Sequence, residues 1–98
     1  VDQAGTVEIR GVYPNPFSEW VHAILVLKTD ALVEIQVYNV AGELVYSEKN
    51  PRVAGVNLWD WNGINSSGAR LASGAYVIRA SSPDFAGSPS YIVVAITR

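Results

Sequence analysis

Hydrophobic and polar positions alternate with a period of two along most of this chain. In VEIQVYN, Val33, Ile35 and Val37 alternate with Glu34, Gln36 and Tyr38, the pattern of a half-buried strand. Val7 and Ile9 alternate with Glu8 and Arg10 in a first segment, Val7 to Tyr13, which stops at YPNPF because Pro14 and Pro16 cannot continue ladder pairing. VHAILVLK, Val21 to Lys28, is nearly continuous apolar and reads as a central strand whose faces the pattern does not distinguish. ELVYSEK, from Glu43, sets Leu44 and Tyr46 against Val45 and Ser47, and the turn at Ala41-Gly42 makes it a hairpin partner of the preceding strand. NPRVAG, Asn50 to Gly55, reads as a loop. In VNLWDW, Val56, Leu58 and Asp60 take one face and Asn57, Trp59 and Trp61 the other. AYVIRA groups Tyr76, Ile78 and Ala80 opposite Val77 and Arg79, and YIVVAIT groups Ile92, Val94 and Ile96.

No window has a helical period with caps, so the chain reads as all-β. About seven strands separated by Gly, Pro, Asn and Ser clusters is what an antiparallel β-sandwich of the Ig-like or fibronectin-III-like kind needs. Some twenty inward side chains would fill its core, each contributing roughly 1.5–3 kcal/mol by transfer, against a conformational entropy cost of similar total size. Residues 1–98 read as one such domain.

Composition narrows the function. Charged residues are 16% of the chain and the net charge is -2, with Lys28, Lys49 and five scattered arginines, so there is no basic stripe for a nucleic acid. Without cysteine there are no disulfides, thiolate metal sites or thiol nucleophiles. The longest apolar run, Ile92 to Ile96, is far short of the roughly 20 residues that span a bilayer. VDQAGTVEIR carries no basic-then-apolar signal pattern and no initiator Met, as an excised domain or processed product would not.

Candidate chemistry is sparse. The one histidine, His22, lies in an apolar strand, nucleophile motifs such as G-x-S-x-G are absent, and Asp60 and the glutamates sit at ordinary strand and turn positions. No catalytic residue and no cofactor follow from this pattern. Asp60, Asn62, Asn65 and Ser67 place oxygens around one loop, as calcium accepts, but Asn and Ser are equally the residues that build turns, and no EF-hand spacing is present. Asn65-Ser66-Ser67 also fits the N-x-S glycosylation acceptor pattern. Trp20 or Trp59, exposed on a flat face, would form a sugar-stacking platform; buried, the tryptophans would cap the core.

WNGINSSGARLASGAY, Trp61 to Tyr76, has the polar density of a ligand loop and also the residues a chain reversal requires. Together with YPNPF (Tyr13, Pro14, Asn15, Pro16, Phe17) and VEIQVYNVAGELV (Val33 to Val45) it resembles, in order and spacing, the Ig-like domain shared by the flagellar hook-capping protein and the C-terminal sorting domains of type IX secretion cargo. The family pattern is YPNPF, then IYN-x-x-G-x-x-V, here Tyr38, Asn39 and Gly42, then W-D-G-x-(D/N)-x-x-G and A-S-G-x-Y. Trp61, Gly63, Gly68, Gly74 and Tyr76 fall on that last stretch, and Asn62 replaces the usual Asp. None is a catalytic group. The segment after Phe17 is shorter than the family's N-P-S-x-T insert, and Tyr91 stands near where sorting domains carry a Lys.

The resemblance implies a non-catalytic C-terminal sorting, anchoring or spacer module of a secreted or surface-exposed bacterial protein. Its partners would be a neighbouring or catalytic domain of the parent protein and the secretion machinery. Two alternatives stay open: a carbohydrate-binding accessory module using Trp20 or Trp59, and an assembly domain like that of the hook cap. The sandwich leaves no room for the insertion that hook-cap proteins carry, which favours the secreted branch.

Overall fold

Along most of the strands, apolar residues at every second position fall on one inner surface. In the computed structural model, which describes residues 7–85 and 87–98, the strands are β1 (Glu8–Tyr13), β2 (Val21–Leu27), β3 (Ala31–Tyr38), β4 (Leu44–Arg52), β5 (Gly55–Trp61), β6 (Gly74–Ser81) and β7 (Ser90–Ile96). Residues 1–6, which the sequence reading includes in the domain, lie outside the described residues. β1-β2-β5 form one antiparallel sheet and β4-β3-β6-β7 the other, so the all-β antiparallel sandwich expected from the alternation is what the chain adopts.

The core lies between the sheets. Val21, Ala23, Leu25 and Leu27 of β2 face Val33, Ile35 and Val37 of β3, with Tyr76, Ile78 and Ala80 of β6 and Val94 and Ile96 of β7 completing it, all buried. Register of β2, β3, β6 and β7 therefore follows the sequence alternation, since a slip of one residue would turn each set outward. β2 gains the distinction its sequence lacks: His22, Ile24 and Val26 point away from the core.

Two local readings change. Asn50 to Arg52 continue β4 as its last residues rather than opening a loop, with Pro51 opposite Leu32. β4 is an edge strand, and a proline is tolerated there because only one side of the ladder needs its N–H. The simple alternation of Leu44 and Tyr46 also fails. Tyr38 pairs with Leu44 but its neighbour Val37 pairs with Tyr46, so Val45 is an extra residue in a bulge, and Leu44 is left exposed.

The free edge of β7 is closed by YPNPF. Asn15 Nδ2–H donates to the Val93 carbonyl at 3.2 Å and its Oδ1 accepts from Ala95 N at 3.0 Å. Phe17 N–H donates to Ala95 O at 3.0 Å and Phe17 O accepts from Thr97 N at 2.8 Å, in a parallel bridge to Ile96. The Asn15 carboxamide thus stands in for a peptide group of a further strand. Exposed ladder edges invite pairing with other chains, and this one is covered.

Candidate functional site

Five aromatic residues converge inside the sandwich. Trp61 and Trp59 are both 2% exposed and stack at 6.0 Å with an interplanar angle of 13°. Phe17 lies 5.9 Å from Trp61, Tyr46 6.0 Å and Tyr76 6.4 Å, edge-on. Burial leaves each indole N–H in need of an acceptor. Trp61 Nε1–H donates to Ile64 O at 3.1 Å, and Trp59 Nε1–H donates to Glu48 Oε1 at 2.9 Å, an oxygen that also accepts from the Tyr46 hydroxyl at 2.9 Å. Glu48 on β4 so joins the two sheets at their open side. Burial, followed by the hydrogen bond and charge of Glu48, pushes the Tyr46 phenol up to about 12. Trp59 is thereby removed from any sugar platform: alternation along β5 turns it into the core with Trp61. Trp20, 51% exposed, is the tryptophan that meets solvent.

The loop from Trp61 to Tyr76 is built by its own polar groups. Asn65 Oδ1 accepts from Ser67 N at 3.0 Å and Ala69 N at 2.9 Å, Asn65 N–H donates to Ala69 O at 2.8 Å, and Gly68 N–H donates to Asn65 O at 2.9 Å. Gly68 has φ +87°, a left-handed conformation that glycine adopts without strain. Tyr76 Oη–H reaches back to Ala72 O at 2.8 Å just before β6, which opens at Gly74. Asx-type turns of this kind use the oxygen that a cation would need. Asp60 points to the outer face, where its Oδ1 lies 2.6 Å from His22 Nδ1 in a cross-strand pair flanked by the Tyr13 ring. Asn62 lines a separate cleft with Trp20. Asp60, Asn62 and Asn65 thus have separate surroundings, and among the described residues no group of three His, Cys, Asp or Glu converges.

Sequence reading missed Arg98. Its guanidinium donates from Nε to Leu71 O at 2.7 Å, from Nη1 to Ser18 O at 3.0 Å and from Nη2 to Gly63 O at 2.9 Å, while its backbone N–H donates to Ser73 Oγ at 2.8 Å. One side chain thus ties the loop after β1 to both halves of the loop after β5. Nothing in the local sequence signals this, because all three acceptors are backbone carbonyls. Beside this clamp lies a cleft of about 220 Å³ bounded by Glu19, Trp20, Asn62 and Arg70, and Arg98, Glu19 and Arg70 also bound a wider groove of about 630 Å³ towards Leu71 and Thr97. On the outer face of the second sheet, Tyr91 is 60% exposed opposite Arg79.

No curated protein matches the chain in sequence. Among solved structures, latent dimeric PorU from Porphyromonas gingivalis is similar over 95% of this chain with a TM-score of 0.76 and 21% identity. FlgD from Xanthomonas campestris, described as a hook-capping protein essential for flagellar assembly, matches over 96% with a TM-score of 0.65 and 20% identity. PorZ, a surface component of the type IX secretion system of P. gingivalis, matches over 90% with a TM-score of 0.60 and 24% identity. The chain spans 9% of the PorU chain, 69% of the FlgD chain and 11% of the PorZ chain. Both branches of the expected resemblance thus recur as likenesses of fold. The model of the FlgD Ig-like domain matches residues 24–84, a stretch that holds the Asn39 and Asn65 turns and the Trp61 core, and the chain belongs to that family.

Proposed function

We propose that this domain is a non-catalytic accessory module of a larger secreted or surface-attached bacterial protein, serving to sort or anchor it. The observation that carries the reading is how the motif side chains are employed. Asn15, Asn39, Asn65, Trp61 and Tyr76 each satisfy backbone or core of their own chain, so these five motif side chains are committed to structure. The family is one of structural and assembly domains, which agrees with that use. The likeness to PorU and PorZ, of which so small a module is a minor part, favours the secretion branch.

A seat for the neighbouring domain is available on the outer face of β1-β2-β5. There Ile24 pairs with Leu58 and Val26 with Val56, and Val56 and Leu58 are 69% and 53% exposed. A face three strands wide measures about 14 Å by 20 Å, below the roughly 800 Å² per partner of a stable free complex. A tethered domain requires less, because the linker removes much of the association entropy. Fusion of the module to the C-terminus of a reporter, expressed with and without a type IX machine, tests sorting directly.

A further inference from the structure

We propose that the cleft beside Trp20 binds an acidic sugar, with the ring stacked on the Trp20 indole and its carboxylate held by Arg70 and Arg98. The inference is independent of the sorting role. Trp20 presents a large apolar ring to solvent at the wall of a cleft whose other lining residues are Ile64 and the polar Glu19, Asn62, Arg70 and Arg98, and an aromatic face beside hydrogen-bonding groups suits a pyranose, which has an apolar C–H face and a hydroxyl rim. Asn62 and Glu19 line the same cleft and supply an amide and a carboxylate for hydroxyls.

Charge selects the acidic class. Two arginines, Arg70 and Arg98, and one carboxylate residue, Glu19, line the cleft, which leaves it net positive. Among the described residues Arg70 has no carboxylate within ion-pair distance, since the ion pairs there are Arg10–Glu8 and His22–Asp60. Arg98 is held in place by the carbonyls of Ser18, Gly63 and Leu71, which take three of the five N–H donors of a guanidinium. The two left over belong to a rigid cation, and a pre-organised guanidinium binds a carboxylate without a further ordering cost. The groove continues past Arg98 towards Leu71 and Thr97, which gives an oligosaccharide room for a second residue.

Tetragalacturonate is a suitable probe, followed by tryptophan fluorescence, because Trp59 and Trp61 are buried and Trp20 is exposed. Saturable quenching is expected at moderate salt, with a neutral tetrasaccharide and acetate each at least about tenfold weaker. Trp20→Ala removes the signal and loses the ligand-induced amide shifts seen by NMR at Asn62, and Arg70→Ala weakens binding about tenfold with an unchanged melting midpoint. Arg70→Lys, which keeps the charge but not the fork, falls between. Equal binding of the neutral sugar, equal binding of a polyglutamate peptide, or retention of the amide shifts in Trp20→Ala would overturn the proposal.

Discussion

Asn39 and Asn65 occupy the same place in two copies of one turn. Asn39 Oδ1 accepts from Ala41 N and Glu43 N, both at 3.0 Å, as Asn65 Oδ1 does from Ser67 N and Ala69 N. In each copy the Asn amide donates to the carbonyl four residues on, and the glycine three residues on, Gly42 or Gly68, has a positive φ of 83° or 87° and donates back to the Asn carbonyl. N-x-x-G is thus one structural word, used once to close the β3–β4 hairpin and once in the long loop before β6. Asn39→Ala or Asn65→Ala should each cost about 1–2 kcal/mol in urea unfolding, because two backbone donors lose an acceptor. Asn65→Asp, which keeps the oxygen, should cost less than half of that. Calcium should leave the midpoint of the parent domain unchanged, since Asn65 Oδ1 is already taken.

The clamp at Arg98 makes a second prediction. Gly63 has φ +72°, and a Cβ placed there would come within 2.5 Å of Arg98 Nη2 and 3.3 Å of Ile96 Cδ1. Gly63→Ala therefore strains the backbone and displaces the guanidinium together. Arg98→Ala should cost about 1–3 kcal/mol, towards the low end because two of the three guanidinium bonds are exposed. The double variant should be less destabilised than the sum of the two, as expected when residues share one interaction. Strict additivity in a thermal-denaturation cycle would show that the clamp does not depend on Gly63.

Alkaline pH should weaken the junction at Glu48. The Tyr46 phenol, at 10.0 when unfolded and pushed up to about 12 in the fold, holds its proton more tightly in the native state. Its stabilising contribution is complete below pH 10 and is lost as pH rises from about 10 to about 12. Unfolding midpoints followed through that window should fall more steeply for the parent than for Tyr46→Phe. The tyrosinate absorbance titration of the parent should show one late step that Tyr46→Phe lacks.

Asn15→Ala should expose the outer edge of β7. Two hydrogen bonds to Val93 and Ala95 disappear, at a cost of about 1–2 kcal/mol, and the ladder there becomes available to other chains. Light scattering after mild heating should rise earlier than in the parent, with Asn15→Asp intermediate because it keeps the acceptor for Ala95.

What could be read in advance follows from what carries the information. Burial of Val33, Ile35, Val37, Tyr76 and Ile78 was legible because alternation repeats over several residues and only one register hides it. β2 resisted that reading because Ile24 and Val26, though turned outward, are as apolar as their inward neighbours. The β4 bulge at Val45 was hidden, since a single extra residue leaves both strands looking regular. Asn65 in the Trp61 to Tyr76 loop serves the chain reversal that its residue type allows, but the loop's partner Arg98 lies 35 residues beyond Gly63 and its side chain binds only main-chain atoms, which have no sequence signature. Trp20 and Trp59 look alike in sequence, and the strand parity of Trp59 with Trp61 is what separates the core residue from the exposed one.

Export decides whether the domain sorts or anchors a larger protein. A periplasmic reporter with this module at its C-terminus would be expressed in a bacterium with a type IX machine and in its machine-deficient mutant. Reporter on the surface or in the medium of the first strain, and confined to the periplasm in the second, is the predicted result; periplasmic retention in both, with the module folded, would contradict the account.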